Sequence, residues 1–503
     1  MAPASESTGS LDTQGYLLAD SGQVAGVKRR RVVFPAEDQV QRKRRCSSSP
    51  QTTSSMRTEP YRLTATEAIK TIRAGDLTVE DYARSLLDRI KERDDAVRAW
   101  IFLDGNQVLE QARALDRLPK EERGSLHGVA VAIKDVIYTK DMPTQHNSAI
   151  YKDSMPEIDA GSVAMLRQAG ALIFGKTTTT EFAANVIGTK TANAHHEGRT
   201  PGGSSSGSGA AVADFQVPLA LGTQTGGSMI RPASFNGIYA IKPTWNSVSR
   251  EGQKIYSLNL DTLGWYARSI EDLTLLSTFF GLKDDEIPRP LSNGVRGLKL
   301  AFCKTMVWNH AGSGTRSAFS TARSLLSSSG AHITDLSLPP EFQSLPQLHT
   351  IMLFSDGRVS FLPEYRLAKS SLAADLVEHV EEFHGYTRKQ YLSACDTIAA
   401  LRPKFDAIAE EFDAVVVPSV PDVAPEGLER TGSAVFQGIW TALHVPIVNI
   451  PGFTGEENMP IGLSLVAPRY RDLHLLSVAE EVAKIWVREP LELPEERRKK
   501  AIA

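Results

Sequence analysis

Between residues 200 and 245 the chain reads TPGGSSSGSGAAVADFQVPLALGTQTGGSMIRPASFNGIYAIKPTW, a density of glycine and hydroxyl residues that no ordinary core segment requires. Glycine lets backbone N–H groups come close to a ligand, or take φ > 0, without a Cβ clash, which suits a loop that stabilises an anion. Thr225, Gly226, Gly227 and Ser228 would aim successive N–H donors at one developing oxyanion, the stabilisation on which acyl transfer depends. A serine hydroxyl is a weak nucleophile until a base removes its proton. Upstream, the apolar run from Val129 to Ile133 has the pattern of a buried strand and ends in Lys134 and Asp135. An ammonium at the end of such a strand is desolvated, its charged form is disfavoured, and a neutral Lys134 can serve as the base.

These residues need a rigid frame. Thr64 and Glu67 have capping-box spacing ahead of Ala68, Ile69 and Ile72, so a helix starts there and Gly75 stops it. A second helix from about Thr78 places Tyr82, Leu86, Leu87 and Ile90 on one face. Short β-branched runs then alternate with helical patterns: 129–133, 171–174, 298–302, 414–417, 446–450 and 461–466, with helices at 162–169 and 475–485. This alternation predicts an α/β fold with a parallel or mixed sheet, and residues 282–412 read as a more helical lobe beside it. No internal repeat is seen.

At 503 residues the chain can hold two or three average domains or one large α/β unit, and the reading preferred is a tail over residues 1–58 followed by one domain over 59–503. The tail is rich in Ser, Thr and Gln, and carries nine Lys or Arg against five Asp or Glu. Its clusters Lys28–Arg31 and Arg42–Arg45 are laid out like a bipartite nuclear-import signal that an import receptor would bind; the plainer reading is a solvated charge run. The net charge of −3 gives no overall attraction to nucleic acid or to acidic membranes. Cys46, Cys303 and Cys395 form no C-x-x-C pair, so neither a disulfide framework nor a zinc site is indicated. With no apolar run near the ~18 residues of a membrane span and no secretory h-region, the expected setting is cytoplasmic, with the nucleus open through the basic clusters.

The ordered motifs resemble the amidase signature family of Ser-Ser-Lys hydrolases. GVAVAIKDVIYTKDMPT is similar to the family's lysine strand, AMLRQAGALIFGKTTTTEFA to the helix and strand after it, and residues 201–243 to its Gly/Ser-rich signature. TGSAVFQGIWTALHVPIVNIPG and MPIGLSLVAPRYRDLHLL resemble its C-terminal core segments. The resemblance implies a large central mixed sheet covered by helices on both faces, with a helical lobe. It makes Lys134 the catalytic lysine, Ser204 a bridging serine behind a cis Gly203–Ser204 bond, and Ser228 the nucleophile. It further implies an oxyanion hole from Thr225, Gly226, Gly227 and Ser228, supporting roles for Ser205 and Arg231, and no metal or organic cofactor. Hydrolysis of a small-molecule carboxamide through an acyl-enzyme is the implied reaction; a homodimer would rest on analogy alone. Many members carry Asp where this chain has Gln224, and Arg two residues after the nucleophile, where it has Ile230 followed by Arg231. The form GTQTGGS followed by IRPAS looks like a subgroup of stand-alone amidases.

Three rival readings compete. Gly203 to Gly207 also satisfies G-x-S-x-G, which would make Ser205 the nucleophile at an elbow, but the polar stretch before it, ending in Pro201, is not the buried strand an elbow needs. The family also includes the A-type subunit of glutamyl-tRNA amidotransferase, which works with other polypeptides. An idle amidase fold acting as a binding module would require Lys134, Ser204 and Ser228 to be silent.

Overall fold

In the computed structural model, which describes residues 59–487 apart from Arg289 and Phe383, and also Leu493, the first helices follow local signals. The Thr64 side chain accepts from Glu67 N while the Glu67 carboxylate accepts from Thr64 N, starting the helix Ala65–Ala74. Gly75, at φ 86°, ends that helix in the left-handed region, and Thr78 caps the next, Val79–Val97. The tail with its two basic clusters lies outside the described residues.

Eleven described strands join in one sheet: β1 (Trp100–Phe102), β2 (Ala130–Lys134), β3 (Leu172–Thr177), β4 (Leu219–Gln224), β5 (Tyr239–Lys242), β6 (Thr262–Ala267), β7 (Lys299–Cys303), β8 (His332–Leu336), β9 (Ala414–Pro418), β10 (Ile447–Thr454) and β11 (Pro460–Val466). Their order is β1-β3-β2-β4-β6-β5-β10-β11-β9-β7-β8. The sheet is mixed, since β2 runs parallel to β3 and β4, and β7 parallel to β8 and β9, while the remaining pairs are antiparallel.

Side chains along the central strands alternate between two cores, the sign of a sheet covered on both faces. Val131 and Ile133 of β2, Leu219 and Leu221 of β4, and Leu300 and Phe302 of β7 enter one continuous core, lined by the helices Ile270–Phe279, Ser313–Ser328 and Asp472–Trp486. On the other face Ala130, Ala132 and Ala220 meet the helices Val79–Val97, Gly105–Asp116 and Ser206–Ala213. Farther along that face Ala301, Val415 and Val417 pack on Arg388–Ala409 and Gly438–Ala442. Residues 282–412 contribute β7 and β8 to the sheet as well as helices. The helical lobe rises from Leu345–Ser360, Leu362–Ala368 and Ala374–Val380, around an apolar cluster that includes Phe182, Tyr256 and Phe361. Among the described residues no helix is long and apolar enough to cross a membrane.

The parallel neighbours β3, β2 and β4 end side by side, at Thr177, Lys134 and Gln224. Ligands of α/β sheets gather at such carboxyl ends, and the chemistry-bearing residues collect there.

Candidate active site

Lys134 closes β2 and is fully buried. Its Nζ lies 2.8 Å from Ser204 Oγ and 2.8 Å from Thr223 Oγ1, with Thr223 O at 3.5 Å. No carboxylate bonds it among the described residues. Burial holds its pKa well below the ordinary 10.5; the negative charge of Asp261 opposes that shift and the positive charge of Arg231 adds to it. Burial among hydroxyls disfavours the charged form of this lysine, the direction a base requires.

The Gly203–Ser204 bond is cis, as the resemblance implied. The chain here is held from three sides. Arg231 Nη2 donates to Gly203 O at 2.7 Å and to Thr431 Oγ1 at 3.2 Å. Ser206 Oγ donates to Gly202 O at 2.8 Å. A Cβ on Gly203 would meet the Thr431 side chain at 2.5 Å, so only glycine fits. Ser205 is fully buried, and its hydroxyl both donates to Thr223 O (3.2 Å) and accepts from Thr223 N (3.3 Å). That leaves it facing the backbone of the residue whose side chain touches Lys134.

Ser228 follows the turn that leaves β4. None of the N–H groups of Thr225, Gly226, Gly227 and Ser228 donates to another group among the described residues, although the segment itself is tightly fixed. Gln224 Oε1 accepts from Met229 N (2.9 Å) and Ile230 N (3.1 Å), and its Nε2 donates to Thr441 Oγ1 (3.0 Å), which in turn donates to Gly226 O (2.8 Å). His349 Nε2 donates to Thr225 O at 3.0 Å, and Tyr266 OH donates to Ser228 O at 2.9 Å. A Cβ on Gly227 would lie 2.8 Å from Gln437 Oε1. Four unpaired donors on a braced turn can stabilise an oxyanion without reorganising. Lys134 and Ser204 are joined directly; no hydrogen bond joins Ser204 to Ser228 among the described residues.

The family model for amidases matches residues 81–476. The chain belongs to the amidase family. It is 31% identical over 469 residues to the A-type subunit of the glutamyl-tRNA(Gln) amidotransferase of Acidothermus cellulolyticus, covering 83% of this chain and 93% of that relative. A solved amidase, 28% identical, superposes with a TM-score of 0.76 over 84% of this chain and 99% of the other. The native peptide amidase of Stenotrophomonas maltophilia, 24% identical, shares the fold, with a TM-score of 0.73 over 86% and 99% of the two chains. Membership places this amidase among hydrolases that act on amide C–N bonds.

Several contacts of the amidase site escaped sequence reasoning. Thr223, on Lys134, is one more hydroxyl in a segment full of them. Thr441 and His349 reach the loop from elements far along the chain and carry no local signal. The adjacent His195 and His196 are held apart in role: the His195 ring faces Asn236 O at 3.0 Å, while His196 Nδ1 accepts from Gly198 N. Trp440 and Phe436 are fully buried in the core. A cavity of about 300 Å³ opens instead in the lobe, where Phe354, His379, His384, Tyr386 and Tyr391 contribute to its wall.

Proposed function

We propose that the chain hydrolyses a small-molecule carboxamide to a carboxylic acid and ammonia or an amine, with Ser228 as nucleophile, Ser204 as proton relay and neutral Lys134 as base. The observation that carries this reading is a fully buried Lys134 with Nζ 2.8 Å from Ser204 Oγ and, among the described residues, no carboxylate bonded to it. In the acylation step Ser228 Oγ attacks the carbonyl carbon while its proton passes to Ser204 Oγ and the Ser204 proton passes to Lys134 Nζ. The carbonyl oxygen takes up the negative charge against the N–H groups of Thr225 to Ser228. Lys134 then returns a proton through Ser204 to the leaving nitrogen, the C–N bond breaks, and water hydrolyses the acyl-enzyme by the same relay. The Ser204–Ser228 contact is the one this scheme requires substrate to close; catalytic hydrogen bonds commonly tighten on forming the Michaelis complex.

A fluorophosphonate probe followed by peptide mapping tests the reading. Adduct on Ser228, absent from Ser228→Ala and much reduced in Lys134→Ala, is the expected result; adduct on Ser205 would overturn the assignment. The amidotransferase relative favours a second reading, in which the same site works within a larger assembly as its A-type subunit. Stoichiometric copurification of a second chain from native cells, with amide cleavage only in its presence, would establish that reading in place of the stand-alone enzyme.

A further inference from the structure

Asp261 lies immediately before β6 and is almost wholly buried, yet the scheme above gives it nothing to do. Its carboxylate takes no ion pair among the described residues. Oδ1 accepts from Thr225 Oγ1 at 2.6 Å, and Oδ2 accepts from Tyr256 N at 2.8 Å, with the Ser257 N–H also turned on it. Thr225 is the first residue of the turn with unpaired donors, and its other polar handle, the carbonyl, is held by His349. One residue of the turn is therefore gripped twice: by its side chain from the strand side, and by its carbonyl from the lobe helix Leu345–Ser360. Rotating Thr225 would turn the peptide that follows it, which carries the Gly226 N–H.

We propose that Asp261 is a positioning residue of the reaction: through Thr225 it sets the direction of the oxyanion donors, and its charge faces Lys134 across the site. This rests on the amidase reading given above. Burial pushes the Asp261 carboxyl up to about 6, so it is mainly ionised at neutral pH and all its facing donors are satisfied. The titratable groups that face it are Lys134, Arg250 and the Tyr256 phenol, and those that face Lys134 are Asp261 and Arg231. In Asp261→Asn the shape is kept, but an NH₂ replaces one acceptor and must point at an N–H or at the Thr225 hydroxyl. The donors lose alignment, and Lys134 loses the negative charge that favours its protonated form.

The test is the rate of fluorophosphonate labelling at Ser228, as a function of probe concentration and pH, in wild type, Asp261→Asn, Thr225→Val, Thr225→Ser and the double variant Asp261→Asn/Thr225→Val. The expected result in Asp261→Asn is a maximal labelling rate lower by about 10- to 100-fold, the range that small misplacements of reacting groups produce, with half-saturation by probe little changed. The acid limb of the profile should move to lower pH. Thr225→Val should match Asp261→Asn in maximal rate while leaving the acid limb in place, Thr225→Ser should recover much of the rate lost in Thr225→Val, and the double variant should have a maximal rate no slower than the poorer single, because both changes break one contact. A wild-type maximal rate in Asp261→Asn, or losses that multiply in the double variant, would overturn the proposal. Should Asp261→Asn fail to fold by near-UV circular dichroism, the contrast between Thr225→Val and Thr225→Ser decides it. Absence of labelling in the wild type would instead bring down the amidase reading itself.

Discussion

At the scale of single residues, the site depends on what burial does to Lys134 and on how Gln224 restrains the turn. In the proposed mechanism only neutral Lys134 can take the proton. Its pKa sits well below 10.5, chiefly from desolvation, so labelling of Ser228 should rise with pH along one limb whose midpoint lies well below 10.5. Lys134→Ala should lose that limb and keep only a much reduced rate of labelling. The Gln224 amide oxygen gathers two N–H groups while its NH₂ bonds Thr441. Gln224→Leu strands those buried groups and should lower stability by about 2–4 kcal/mol in urea denaturation, whereas Gln224→Glu, which keeps the acceptor, should lose less.

At the scale of elements, the helix Ser206–Ala213 carries the serine segment into place by close approach to its neighbours. A Cβ on Gly207 would fall 2.1 Å from Ala99 O and 2.5 Å from Thr178 N, both backbone atoms that cannot swing aside. Gly207→Ala should therefore push the helix outward, lower the urea midpoint by the equivalent of about 1–3 kcal/mol or more, and slow labelling of Ser228 with it. Much of this scale was legible in the sequence, because its signals are local. The Thr64 box, the Gly75 stop and the apolar runs of β2, β3, β7, β9, β10 and β11 all declare themselves within a few residues. β4 does not, since Gly222, Thr223 and Gln224 look like loop and become strand only by pairing with β6. β8 is hidden differently: as an edge strand with His332, Thr334 and Asp335 it has too much exposure to show an apolar run. The lysine, the two serines and the glycine turn were readable as a pattern, but the contact of Asp261 with Thr225 is purely tertiary and left no periodic trace.

At the scale of the molecule, the two halves of the sheet meet where β5 pairs with β10, and Lys242 sits on that seam opposite Ile447. Lys242 is buried, its Nζ donates to Pro243 O at 2.7 Å, and burial lowers its pKa from 10.5 to about 7, against a favourable pull from Asp472. A depressed folded-state value means that the unfolded chain binds more protons between about pH 7 and 10.5. The residue's contribution is then full above that window and is lost as pH falls through it. Lys242→Met should remove this dependence, so its Tm advantage over wild type should be largest near pH 7 and shrink towards pH 10 in paired melting curves. The same seam has a consequence in time. β10 begins about 205 residues after β5 ends, and at the ribosome's pace of about 5–20 residues per second some 10–40 s separate them. During that interval the growing chain holds the β1-to-β5 part of the sheet with an open, apolar flank, the kind of edge that invites pairing with a stranger. The nascent protein is therefore expected to lean on chaperones until Ile447 has emerged.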